Sequence, residues 1–296
     1  MKNIGLITPS SPCYELKNID IVRQWFKGNG YNVVLSDNFN AKNRFLAGTD
    51  NERADDIHRF FADKNIDIIV CFRGGYGSER ILDLLDYDLI SQNKKPFFGF
   101  SDSTALQLAL YKKSNLISFS GLCPATDIDD NGKMDLLLSS SFHLWQEKKS
   151  MDIELKYFQQ TPPPSNISGT LIGGTLSVLE QLIGTPYLPD MQNTILFIED
   201  VHEDVYKIDR MLTHLRLSGI LDKVSGLVFG NFKNCYAEDK NDGTLSEVIF
   251  DLSKRMPNLH IWTGLPYGHT KSRIILPIGS TARITGCSLF FDFNCK

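Results

Sequence analysis

The sequence predicts an α/β protein whose first half is a doubly wound parallel sheet and whose second half is a smaller, mixed, β-rich unit. Three observations carry this. Short apolar runs alternate with helical patterns through the first half of the chain. Runs such as Ile68-Ile69-Val70-Cys71-Phe72 carry no charge, as strands buried on both faces require. The last stretch, 272–293, is strand-rich and broken by Gly279 and Gly286, as antiparallel hairpins would be. The 296 residues fit about two domains. An apolar share of 42%, with 22 glycines besides, is enough for a substantial core.

Strands at 4–8 and 32–35 bracket a helix at 19–27 that stops at Gly28 and Gly30. Thr49 with Glu52 three residues on reads as a capping box, opening a helix with Ala54, Ile57 and Phe61 on one face. A strand at 67–72, a helix at 79–85, a strand at 96–100, a helix at 104–113 and a strand at 116–119 follow. The pattern then gives a helix at 136–145 and a strand at 152–158. Pro162-Pro163-Pro164 cannot lie within a helix or a central strand. The domain linker is therefore expected at 161–167, between an N-terminal domain 1–160 and a C-terminal domain 168–296. The second half shows strands at 167–172, 194–198, 225–229 and 259–262, with helices at 176–183, 206–217 and 245–255.

A net charge of −4 offers no basic field to nucleic acid or to an anionic membrane. No apolar run approaches the ~18 residues of a membrane span, and the first nine residues read as a strand rather than a signal peptide. The cysteines at 13, 71, 123, 235, 287 and 295 include no C-x-x-C pair, as expected of reduced thiols in a soluble cytoplasmic protein. Histidines and cysteines show no zinc-ligand spacing, so no metal site is expected. A small polar substrate is the better expectation.

Four segments at strand ends carry chemistry. In Arg73-Gly74-Gly75-Tyr76-Gly77 a strand enters a glycine-rich turn whose N–H groups could face an anion, yet it lacks the spacing of a nucleotide loop. Arg73 could hold a substrate carboxylate or pair with Glu79. In Gly99-Phe100-Ser101-Asp102-Ser103 an apolar strand turns into a helix, putting Ser101 at a corner like that of a nucleophile elbow. The same corner is where Ser101 or Asp102 would simply cap that helix. Glu199 and Asp200 end an apolar strand, and one of them can face the edge that carries Ser101. His269, after Gly268, can present its ring there, with His202 beside the acidic pair as a rival. Ser101, Glu199 and His269 would together make a hydroxyl, an orienting carboxylate and a base.

Taken in order, several motifs resemble the LD-carboxypeptidases, a serine peptidase family that includes the microcin C immunity peptidases. They are Arg73-Gly74-Gly75-Tyr76-Gly77 with Arg80, Gly99-Phe100-Ser101-Asp102, Gly173-Gly174, Gly184-Thr185-Pro186-Tyr187-Leu188-Pro189, Glu199-Asp200-Val201, Ile208-Asp209-Arg210 and Gly268-His269. The resemblance implies a flavodoxin-like N-terminal domain, a swivelling C-terminal domain and a homodimer, with no cofactor. It puts the nucleophile on Ser101, the acid on Glu199 and the base on His269, with backbone N–H groups of Gly75 and Asp102 as oxyanion donors. The implied activity is release of terminal D-alanine from murein tetrapeptides in cell-wall recycling. The alternatives are microcin-type cleavage of a peptidyl-nucleotide amide or mere binding of muropeptide. Departures from the family pattern are Thr175 where many members have asparagine, and the stretches 119–124 and 201–206.

Overall fold

The computed structural model describes residues 1–13, 17–237, 239 and 241–294, so the thiol expected at Cys295 lies outside the described residues. The first part of the chain forms β1 (Lys2–Ile7), α1 (Lys17–Gly28), β2 (Tyr31–Leu35), α2 (Asp50–Ala62), β3 (Ile68–Cys71), α3 (Tyr87–Gln92), β4 (Phe97–Gly99), α4 (Thr104–Ser114), β5 (Ser118–Ser120), α5 (Pro124–Asp127) and α6 (Leu136–Gln146). Its strands pair in parallel in the order β2-β1-β3-β4-β5, the doubly wound flavodoxin-like arrangement. Uncharged strands follow from helices on both faces. Phe97 stacks on Phe61 of α2, whereas Phe98, its neighbour, packs edge-on against Trp145 of α6. Thr49 and Glu52 form the expected capping box at the start of α2.

The helix expected over 79–85 is cut short. Only a 3-10 turn, Ser78–Ile81, forms there. Asp86 then opens α3, its carboxylate accepting the Leu89 N–H at 2.9 Å, and this local cap outcompetes continuation of the turn.

The second sheet contains β6 (Ser150–Glu154), β7 (Lys156–Tyr157), β8 (Ile167–Thr175), β9 (Thr194–Val201), β10 (Gly226–Lys233), β11 (Ile261–Thr263), β13 (Thr281–Thr285) and β14 (Ser288–Asp292). β8, β9, β10 and β11 run parallel, and antiparallel strands flank them on both sides in the order β6-β14-β13-β8-β9-β10-β11-β7. Helices α7 (Leu176–Gln181), α8 (Val205–Leu217) and α9 (Leu245–Arg255) connect them.

Two boundaries differ from the sequence reading. Because β6 and β7 already belong to the second sheet, the chain crosses between sheets ahead of Ser150, and the proline stretch merely joins β7 to β8. Gly286 does turn a hairpin from β13 to β14. Gly279, however, separates strands of different sheets: β12 (Leu276–Ile278) returns to the first sheet and pairs antiparallel with β5. Cys71, Cys123 and Cys235 are buried thiols outside any disulfide, packed as small apolar side chains. No helix among the described residues is long and apolar enough to cross a membrane.

The junction of β5 with the returning segment leaves no room for a side chain at Gly121. Its φ is +131°, and an added Cβ would lie 2.5 Å from the Ile274 carbonyl oxygen. Gly121→Ala is expected to lower the unfolding free energy by about 2–3 kcal/mol, measured by urea titration.

Candidate active site

The strand-to-helix corner after β4 is built around a strained serine. Phe100 is extended, Ser101 has φ +62°, and a 3-10 turn, Ser101–Ser103, leads into α4. A β-carbon in this left-handed region costs on the order of 1–2 kcal/mol and persists only where neighbours hold it. They do so closely. An added Cβ on Gly99 would meet the Ser103 Cβ at 2.6 Å, and one on Gly74 would meet the Ser101 Cβ at 2.9 Å. Ser103, standing where a common elbow has its second glycine, is thus accommodated by the bareness of Gly99.

Asp102 does not cap its own helix. Its carboxylate accepts the Ser10 hydroxyl at 2.5 Å and the backbone N–H groups of Gly77 and Ser78 at 3.2 and 2.9 Å, while the Ser78 hydroxyl donates to the Asp102 carbonyl at 2.6 Å. These bonds fasten the serine corner to the glycine-rich turn. Gly75 in that turn has φ +119°, and a Cβ there would lie 2.2 Å from the Ser11 hydroxyl oxygen. Arg73 donates to the carbonyls of Pro12 and Gly74 at 3.0 and 3.3 Å, so its guanidinium helps to fix the loop beside Ser101.

Strand alternation separates the two acids at the end of β9. Glu199 is fully buried, and its Oε2 lies 2.8 Å from His269 Nδ1. Asp200 faces the other way, accepting the Ser177 N–H at 2.8 Å and the Ser177 hydroxyl at 3.3 Å. Burial pushes the Asp200 carboxyl up to about 6.

His269 completes the contact: its Nε2 lies 2.9 Å from Ser101 Oγ. With Nδ1–H donating to Glu199, Nε2 is left to accept the serine proton. The imidazole leans on the Phe100 ring at 4.7 Å, and Arg273 stacks over that same ring at 4.3 Å. Arg273 also donates to the carbonyls of Gly121 and Thr270 and to the buried carboxylate of Asp127, at 2.7, 2.7 and 2.5 Å. Gly268 has to be bare, since a Cβ would sit 2.7 Å from the Asn231 carbonyl oxygen and 3.2 Å from Glu199 Oε2. His202 is exposed, its Nε2 3.5 Å from Asn234 Nδ2.

The structure therefore brings Ser101, Glu199 and His269 into one hydrogen-bonded relay, with Gly74 against the serine, Asp102 next to it in the chain, and Gly75 following Gly74 in the turn. Sequence reading missed Asp127 and Arg273 as parts of this site, and set Thr175 at the cleft only as a departure from the family pattern, with no role. Thr175 had one signal, its departure from asparagine; Asp127 and Arg273, 146 positions apart, had none. Among the described residues no three His, Cys, Asp or Glu side chains are grouped to hold a metal ion.

Sequence profiles match twice. The profile of the LD-carboxypeptidase N-terminal domain covers residues 4–121, and that of the C-terminal domain covers residues 168–284. A Bacillus subtilis protein named "Probable murein peptide carboxypeptidase" is 33% identical over 287 residues, covering 94% of this chain and 87% of its own. The Escherichia coli microcin C7 self-immunity protein MccF is 26% identical over 328 residues, covering 99% and 91%. The crystal structure of a muramoyltetrapeptide carboxypeptidase from Oxalobacter formigenes superposes with a TM-score of 0.88 at 29% identity, over 98% of both chains. MccF in its wild-type apo state gives 0.85 at 22% identity, covering 98% of this chain and 96% of its own, a likeness of fold.

The burial of Asp200 has a consequence for stability. An unfolded aspartate titrates near ~3.9. Between about pH 4 and about pH 6 the native state thus keeps a proton that the unfolded chain has lost, and stability falls as pH rises through that window. In Asp200→Asn this dependence is absent. Its unfolding free energy relative to the parent should climb by about 3 kcal/mol from about pH 4 to about pH 7, read from denaturant titrations at each pH.

Proposed function

The chain belongs to the LD-carboxypeptidase family, and from that membership we propose that it is a serine carboxypeptidase. It releases terminal D-alanine from murein tetrapeptides by hydrolysing the amide that follows the L-centre of the third residue. The observation that carries the reading is the continuous relay from Glu199 through His269 to Ser101, at 2.8 and 2.9 Å. His269 takes the hydroxyl proton as Ser101 attacks the scissile carbonyl, then returns it to the departing D-alanine amine. Water hydrolyses the acyl-enzyme by the same route. The oxyanion is received by the N–H groups of Gly75 and Asp102, each typically worth about 3 kcal/mol in the transition state. An imidazolium cannot accept the serine proton, so turnover declines in acid.

The named Bacillus and Oxalobacter relatives support the murein substrate, and a role in cell-wall recycling follows from it. The family resemblance supports a cytoplasmic homodimer. The 26% identity to MccF supports a second reading, cleavage of a peptidyl- or aspartyl-nucleotide amide by the same relay. Incubation with an aspartyl-adenylate analogue separates the two.

Ser101→Ala should abolish D-alanine release from a purified tetrapeptide, followed by mass spectrometry, with an unchanged circular dichroism spectrum; undiminished release rejects the assignment. His269→Ala should cost about 10⁴-fold or more in kcat, whereas His202→Ala should leave kcat near the parent value. Arg73 is proposed to add a contact to a substrate carboxylate, which guanidinium binds in bidentate fashion. Arg73→Lys should then raise KM several-fold, and unchanged kinetic constants would remove the substrate contact from the scheme.

A further inference from the structure

Glu199 has two carboxylate oxygens, and the relay to His269 occupies one of them. The other, Oε1, accepts the Thr175 hydroxyl at 2.6 Å in a fully buried setting. Thr175 ends β8 in register with Glu199 on β9. Its N–H donates to the Thr104 hydroxyl at 3.2 Å, and Thr104 is the first residue of α4, three positions after Ser101. The approach is close because Gly174, at φ +146°, has no side chain; a Cβ there would come within 2.5 Å of the Thr104 side chain. One threonine therefore touches the acid with its hydroxyl and the serine's helix with its backbone.

We propose that Thr175 is a positioning residue, whose hydroxyl fixes the Glu199 carboxylate against His269 and so tunes the ability of His269 to act as base. The inference rests on the catalytic reading of the relay. Removing the hydroxyl leaves the carboxylate charge less dispersed, so the ionised carboxylate holds an imidazolium more tightly. A higher pH is then needed before His269 is a neutral imidazole.

Near Glu199 stand the Tyr267 hydroxyl, bonded to Ser120 at 2.7 Å, and the Cys235 thiol beyond β10; the Arg273 guanidinium lies over the Phe100 ring that supports His269 and is charged in parent and variant alike, and Asp200 is turned to the opposite face of β9. Burial pushes the tyrosine and the thiol up, so both stay neutral through the acid range. Asp200 titrates in parent and variant alike and cancels in the comparison.

The test follows the His269 ring by NMR across the range in which imidazoles titrate, in the full-length parent, Thr175→Val and Thr175→Ser, with His269→Gln identifying the signal. Valine keeps the shape and removes the donor, whereas serine keeps the donor. In Thr175→Val the midpoint should rise by about half to one pH unit, and Thr175→Ser should match the parent. With the tetrapeptide, the acid limb of kcat should move by the same amount, kcat should drop about tenfold and KM should change little. An unmoved midpoint in Thr175→Val, or a Thr175→Ser protein displaced as far as the valine variant, overturns the inference. Should Ser101→Ala retain full activity while the midpoint still moves, the catalytic reading fails and the coupling of Thr175 to His269 stands.

Discussion

Everything at this site depends on the return of β12 to the first sheet. Ser101 is carried by one sheet and Glu199 by the other, so the relay exists only while the two are held in fixed register. The histidine loop bridges them. It leaves the second sheet at β11, presents His269, and reaches β12, whose antiparallel pairing with β5 anchors the loop's far end beside the serine corner. The histidine is thus held from both sides by backbone ladders, and its position does not rely on its own hydrogen bonds alone.

Arg273 reinforces that anchorage from within the loop. Its guanidinium and the Asp127 carboxylate are both almost wholly removed from water, at 4% and 2% side-chain exposure. Burial pushes the Asp127 carboxyl up against the pull of Arg273. Such a pair recovers its desolvation cost only where the remaining donors are also satisfied. Here two carbonyls and the face of Phe100 take the rest of the guanidinium. As Phe100 also supports the His269 ring, the pair transmits rigidity to the base through one aromatic side chain.

What the sequence made legible was local. The Gly99-x-Ser101 corner, the glycine-rich turn and the strand ending in Glu199 are each written in consecutive residues, and the parallel sheet follows from uncharged runs. The choice between Glu199 and Asp200 needed the parity of β9, which a run of inward-facing residues does not reveal until its neighbours are known. His269 and His202 differ in where their loops return, a property of topology. The passage from one sheet to the other was not legible, because prolines stand between two strands of the same sheet, β7 and β8, while the crossing after α6 carries no unusual residue. Asp102 looked like a helix cap because a serine–aspartate pair before a helix usually is one. Its carboxylate serves a turn some 24 residues earlier in the chain, and nothing in the spacing announces that.

The shared strand also governs how the molecule can be divided. A fragment ending before Ser150 would retain β5 but lose β12, leaving unsatisfied backbone donors and acceptors on a short strand that is buried in the whole chain. Such an edge recruits other chains, so the N-terminal half would tend to self-associate instead of persisting as a monomer. Removing either half takes one strand of the β5–β12 pair away from the other.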